Sequence, residues 1–240
     1  MLPPRDAMAS PGRLRRLAYR LLDVGRTIGF VRLAWTVPRW LVRREFLVTV
    51  KDLSGPLPPP ARDSDVAWRR LAPAEIPRLL AQSPTLTDTE VWRRLREGQE
   101  CWIGWAGDIP AHWRWETSTE AYFPYIHRRV RPLDGDRWIV DVYTHPSWRR
   151  RGLYAAATVA AMHRARDQGH RRLIGLIAAW NTPARRVAER ELQRSVIGTV
   201  GHWTIGYWRP PLMSGWVRLD DRGRVFVPLQ EDARPPASVV

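Results

Sequence analysis

Residues 141–181 read DVYTHPSWRRRGLYAAATVAAMHRARDQGHRRLIGLIAAWN, and this stretch decides the fold. An apolar, β-branched and aromatic run, Trp138 to Tyr143, ends at His145-Pro146. A basic turn follows, Arg149-Arg150-Arg151-Gly152-Leu153-Tyr154. The alanine-rich segment from Leu153 to Gln168 then has the composition of a helix, closed by Gly169. A second apolar run, Leu173 to Ala179, reads as the next strand. A strand that passes through a basic, glycine-containing turn into a helix is a phosphate-binding device. The first-turn N–H groups have no helical partners, and the helix dipole adds partial positive charge beside them. Gly152 lets the backbone approach an anion closely. The competing reading is an ordinary strand–helix crossover with surface arginines.

These residues resemble the coenzyme-binding motif of the GNAT superfamily of N-acetyltransferases, Arg/Gln-x-x-Gly-x-Gly/Ala. Arg149, Gly152 and Tyr154 fall on its three patterned positions, with Arg150, Arg151 and Leu153 between them. Arg150 stands where a second glycine is frequent, and Tyr154 where the last residue is usually small. Asn181 matches the family asparagine that contacts the pantetheine arm or orders the following helix. The likeness covers roughly residues 66–208. It implies an α/β (α+β) fold: a mixed, mostly antiparallel central sheet flanked by helices, with two strands splayed around an acyl thioester. It implies acetyl-CoA as co-substrate, gripped by the backbone at Val142, Tyr143 and Thr144.

Composition bounds the remaining choices. A chain of 240 residues, 44% hydrophobic and with 14 Trp, holds one well-buried domain plus extensions. The single cysteine, Cys101, excludes an internal disulfide framework and a Cys-based metal cluster, and a reducing cytoplasm is the default compartment. The six histidines, 112, 127, 145, 163, 170 and 202, lack metal-ligand spacing, so no metal is expected. No continuous apolar core of a secretory leader and no run of membrane-spanning length is present. Net charge is +15, and Lys51 is the sole lysine, a bias that reflects base composition more than function. Residues 1–51 hold eleven basic and three acidic side chains, a net of +8.

The chain divides into a basic amphipathic extension at 1–53, a proline-rich linker at 54–65, a domain at 66–228 and a loose tail at 229–240. Within the extension, Leu14, Leu17, Ala18, Leu21 and Leu22 make one helical stripe, and Phe30, Leu33, Ala34, Val37 and Leu41 a second. Arginines and Trp35 and Trp40 beside these stripes suit a peripheral contact with an anionic membrane surface. The same stripes equally suit docking on the domain or on a second copy in a homodimer. Residues 45–51 read as a short strand. The domain then gives a strand at 66–71, helices at 73–82 and 88–97 with Thr87 as N-cap, and a Trp-rich hairpin at 101–116. Residues 117–135 read as irregular. A helix from Pro183 to Gln193 and late strands at 195–208, 216–219 and 224–228 complete it.

The acid and base are less defined. The position matching the family's helix tyrosine is Ala188, and Trp138 occupies the region of a family glutamate. Asp141, an acid within an apolar strand, is the candidate base, or else a recognition group for the acceptor. Tyr154 is the candidate acid for the leaving thiolate, or else a packing residue. Glu116 and Glu120 lie beyond the hairpin, near the expected acceptor mouth, where they would attract an amine or simply face water. The resulting expectation is an acyl-CoA-dependent N-acyltransferase acting on a primary amine of a small or sugar-like acceptor. The rival class is a non-catalytic acyl-CoA-binding, membrane-associated or nucleic-acid-associated scaffold. Nucleic acid is disfavoured because no recognised motif accompanies the charge.

Overall fold

The computed structural model describes residue 22 and residues 42–60, 66–205 and 208–229. The helices expected at 13–41, apart from residue 22, and the tail beyond 229 lie outside the described residues.

The fold is the mixed α/β class expected. Twelve strands occur among the described residues: β1 (Arg43–Asp52), β2 (Ala67–Arg70), β3 (Glu100–Ala106), β4 (Ile109–Thr117), β5 (Ala121–Phe123), β6 (Arg128–Val130), β7 (Asp136–Thr144), β8 (Arg172–Ala178), β9 (Ser195–Trp203), β10 (Pro211–Gly215), β11 (Arg218–Leu219) and β12 (Val225–Phe226). Four helices accompany them, α1 (Ile76–Gln82), α2 (Asp88–Arg96), α3 (Leu153–Asp167) and α4 (Thr182–Arg186). Eight strands form the main sheet in the order β10-β9-β1-β8-β7-β4-β3-β2. Every pairing in it is antiparallel except β7 with β8.

Strand alternation sorts side chains to two faces. Trp138 and Val140 of β7 join Trp113 and Trp115 of β4 in the larger core, together with Ile76 and Leu79 of α1 and Val91 of α2. Ile139 faces the other way and packs with Val159, Met162 and Ala165 of α3. Trp113, Trp115 and Trp138 are fully buried, and truncating any of them to Ala would cost about 3–5 kcal/mol. Thr87 caps α2 as expected, its hydroxyl accepting from the Glu90 N–H at 3.2 Å. Residues 117–135 are not irregular throughout. They contribute β5 and β6 to a small second sheet, ordered β11-β12-β6-β5.

The expected boundary at residue 53 is corrected. β1 lies inside the main sheet between β8 and β9, with Val48 fully buried. The expected linker is corrected over its described part. Leu53 is fully buried against α3, Leu57 packs on the same cluster, and His163 of α3 contacts the Pro58 carbonyl at 2.9 Å. Proline-rich sequence here runs along the helix as ordered chain. The late helix is also shorter than expected: α4 ends at Arg186 and passes into a π turn over Val187–Glu191.

Candidate active site

The site is built on a fork between β7 and β8. Their parallel pairing runs from Asp136 opposite Arg172 to Ile139 opposite Gly175 and then stops, although β7 continues to Thr144 and β8 to Ala178. The cause lies one strand over. Against β4, Glu116 opposes Ile139 and Trp115 opposes Asp141, so Val140 is an extra residue on β7. Such a bulge bends its strand. β1 meanwhile holds β8 in register as far as Ala178 opposite Phe46. One wall bends away and the other stays, and the wedge between them has Ile139 and Gly175 as its floor.

The expected backbone clamp, Val142, Tyr143 and Thr144, forms the β7 wall of this wedge, and all three are half-buried. The turn beyond leads through a short 3-10 segment, Pro146–Trp148, into α3. Arg149 donates from Nε to the Thr144 carbonyl at 3.2 Å and lies over the Tyr143 ring. Arg151 stacks on Trp148 at 4.5 Å. Arg150 adopts φ 63° and Gly152, the N-cap of α3, φ 74°. A Cβ at Gly152 would meet nothing within 4 Å, so it is the left-handed backbone that calls for glycine there. A glycine N-cap has no side chain to satisfy the first-turn N–H groups, and the helix dipole lies behind them. Three arginines in succession and an uncapped helix start fit a pyrophosphate.

Asn181, on the opposite wall, is the N-cap of α4. Its Oδ1 accepts from the Ala184 N–H at 3.2 Å, which is the helix-ordering half of the expectation. Asp141 lies on the larger-core face. Its Oδ1 accepts from the Tyr125 hydroxyl at 2.7 Å, and its Oδ2 stands 3.2 Å from Nη1 of buried Arg94. Tyr154, in the first turn of α3, is half-buried with Ile139 nearby, and its hydroxyl lies beside the buried Arg194 guanidinium.

Glu116 requires correction. It does not reach an acceptor mouth; it is buried beneath α3 among Arg114 Nε at 2.9 Å, Arg164 Nη2 at 2.7 Å and Arg137 Nε at 3.2 Å. Burial raises its pKa, but the three guanidiniums outweigh this and hold it below the usual carboxylate range. Glu120 is paired with Arg129 of β6 and with Arg224, the latter at 2.6 Å. Neither glutamate joins Asp141 in a common site.

Sequence reasoning missed Tyr125, Arg94, Arg114 and Arg194. A signal existed for one of them. Trp113-Arg114-Trp115-Glu116 alternates apolar and charged residues at strand period, which puts both charges on one face. Arg194 follows a loop and carries no local pattern.

Residues 88–192 match the family model described as the acetyltransferase (GNAT) family. No curated protein matches the chain. Among solved structures, the GCN5-related N-acetyltransferase from Sphaerobacter thermophilus is 14% identical with a TM-score of 0.47, covering 70% of this chain and 54% of its own. The GCN5-related N-acetyltransferase from Kribbella flavida is 18% identical with a TM-score of 0.44, covering 70% and 61%. This chain thus spans about half the length of the first and three-fifths of the second.

Proposed function

We propose that this chain, whose residues 88–192 carry a GNAT-type acetyltransferase domain, transfers an acyl group, acetyl in the simplest case, from its coenzyme A thioester to a primary amine of a small or sugar-like acceptor. The observation that supports this most is the fork: β7 and β8 part at Ile139 and Gly175, and the β7 arm leads on into a basic turn and an uncapped helix start. In this reading the turn 149–154 and the first-turn N–H groups of α3 take the pyrophosphate. The β8-facing backbone edge of residues 140–144, which has no strand partner beyond Ile139, grips the pantetheine arm and directs an N–H at the thioester carbonyl. Holding amine and thioester at the same fork supplies much of the remaining acceleration.

Asp141 takes the amine's proton from the acceptor side, with the Tyr125 hydroxyl as the group that relays it and Arg94 fixing the carboxylate. Tyr154, beside Arg194, donates a proton to the departing thiolate. A panel of amines and amino sugars, assayed by free-thiol release from acetyl-CoA, tests the reading. Turnover with a small amine supports it, and turnover confined to Lys-rich peptides contradicts the acceptor class.

The basic extension supports a peripheral attachment, now bounded at 13–42 because β1 begins at Arg43. Val42, Trp203, Ile205 and Trp208 are exposed together where the extension enters the sheet, with the Thr204 N–H bonded to the Val42 carbonyl at 2.7 Å. Among the described residues no helix is long and apolar enough to cross a membrane. Co-sedimentation with anionic vesicles, lost on deleting residues 1–41, is the expected result; sedimentation that survives the deletion contradicts it.

A further inference from the structure

We propose that the acyl end of the wedge selects a thioester whose short acyl chain ends in a carboxylate, of the malonyl or succinyl type, with Arg114 and Arg194 as the specificity-determining residues. The inference rests on the acyl-CoA reading above and concerns only which acyl group is carried.

The floor of the fork is unusually rich in buried positive charge. A Cβ on Gly175 would fall 2.6 Å from Nη2 of Arg194, so this guanidinium lies directly on the floor glycine. Arg194 is 3% exposed; Nη2 donates to the Thr49 carbonyl at 3.2 Å, the Tyr154 hydroxyl lies beside the group, and Nε has no hydrogen-bond partner. Arg114, opposite the wall residue Val142, is 1% exposed. Its Nε is near Glu116 Oε1 but out of line for a hydrogen bond, and both Nη atoms are without a partner. Arg164 and Arg194 both repel it, and burial with that repulsion brings its pKa down to about 10, so it remains charged at neutral pH. On this face of the sheet Arg114, Arg137 and Arg164 share Glu116, Arg137 and the exposed Arg70 share Glu100, and Arg194 has no carboxylate partner among the described residues.

Fold stability does not explain such an arrangement. A buried guanidinium with unmet donors is destabilising, and an apolar side chain of similar size would be neutral or better. A carboxylate at the end of an acyl chain, reaching past the thioester toward Ile139 and Gly175, supplies the acceptor oxygens and the negative charge these two groups lack. The Tyr154 hydroxyl adds a third donor on the same side. An acetyl group carries no anionic oxygen to offer them.

Calorimetric titration of the full chain with coenzyme A, acetyl-, butyryl-, malonyl- and succinyl-CoA tests this. Malonyl- or succinyl-CoA is expected to bind at least about tenfold tighter than butyryl-CoA, as charge-assisted bonds formed out of water would give. The difference should persist at roughly 0.5 M salt, because buried pairs are screened little. In Arg114→Met and in Arg194→Gln the ratio should fall toward one. Arg114→Met removes a buried charge with unmet donors and is expected to fold; if either variant does not, the wild-type ratio and its salt dependence decide. Equal binding of all thioesters, a preference for the neutral ones, a difference that salt abolishes, or a ratio unchanged in folded variants would overturn the inference while leaving the acyl-CoA reading intact. No binding of coenzyme A or any thioester would remove both.

Discussion

At the scale of single residues, Glu116 and Gly152 separate what holds the fold from what makes the site. Glu116→Ala withdraws the one carboxylate shared by Arg114, Arg137 and Arg164 and leaves three guanidiniums crowded under α3. A loss of about 3–5 kcal/mol is expected, read from the urea midpoint. A loss below about 1 kcal/mol would mean the cluster is wetter than its burial suggests. Gly152→Val does the opposite. Its side chain meets open space but its backbone sits at φ 74°, so a modest cost of about 1–2 kcal/mol in stability accompanies a rebuilt turn. Coenzyme A affinity should fall about tenfold or more, since the turn's N–H groups no longer converge. The strand–turn–helix pattern pointed to Gly152, and the family resemblance added Arg149 and Asn181. Glu116 was misread, because an acid at the end of a Trp-rich strand looks alike whether it faces water or three arginines from β4, β7 and α3.

At the scale of elements, β1 carries the strongest expectation. A chain beginning at Ser54 lacks the strand between β8 and β9 and exposes two long unpaired edges; it should aggregate or fail to fold. A chain beginning at Val42 keeps the strand and should fold, as far-UV circular dichroism and size-exclusion chromatography would show. The contact is close: a Cβ at Gly201 of β9 would overlap the Arg44 carbonyl of β1, so Gly201→Val should destabilise the domain in the same way. β3, β4, β7, β8 and α3 were legible because each carries its own period and its own stop signal. The place of β1 was not, since its partners lie more than a hundred residues away in sequence and a proline-rich stretch follows it. β5 and β6 escaped for a related reason: each is three residues long, too short to show alternation, whereas the expected late strands at 216–219 and 224–228 fall on β11 and β12.

At the scale of the whole molecule, histidine burial sets an acid limit. Burial, helped by neighbouring arginines, lowers the pKa of His112 to about 3 and of His202 to about 4, and lowers those of His127, His145 and His170. His112 and His202 stay neutral in the fold while the unfolded chain binds protons below about pH 6.5. Stability should therefore be full above about pH 6.5 and decline as pH falls toward 4, by up to about 1.4 kcal/mol per pH unit for each histidine still neutral in the fold. Urea titrations at pH 7, 6 and 5 would show the slope, and His112→Phe should reduce it by about one proton's worth; stability flat from pH 7 to 5 would contradict it. The net charge of +15 brings polyanions to this surface without specificity, so an anionic coenzyme must be shown to bind at the fork and not merely to the surface. The decisive measurement is a calorimetric titration of the full chain with acetyl-CoA at moderate salt, with Gly152→Val alongside. The account expects saturable one-to-one binding that weakens about tenfold or more in the variant; well-folded wild-type protein that binds no acetyl-CoA, or a folded variant that binds it unchanged, would contradict it.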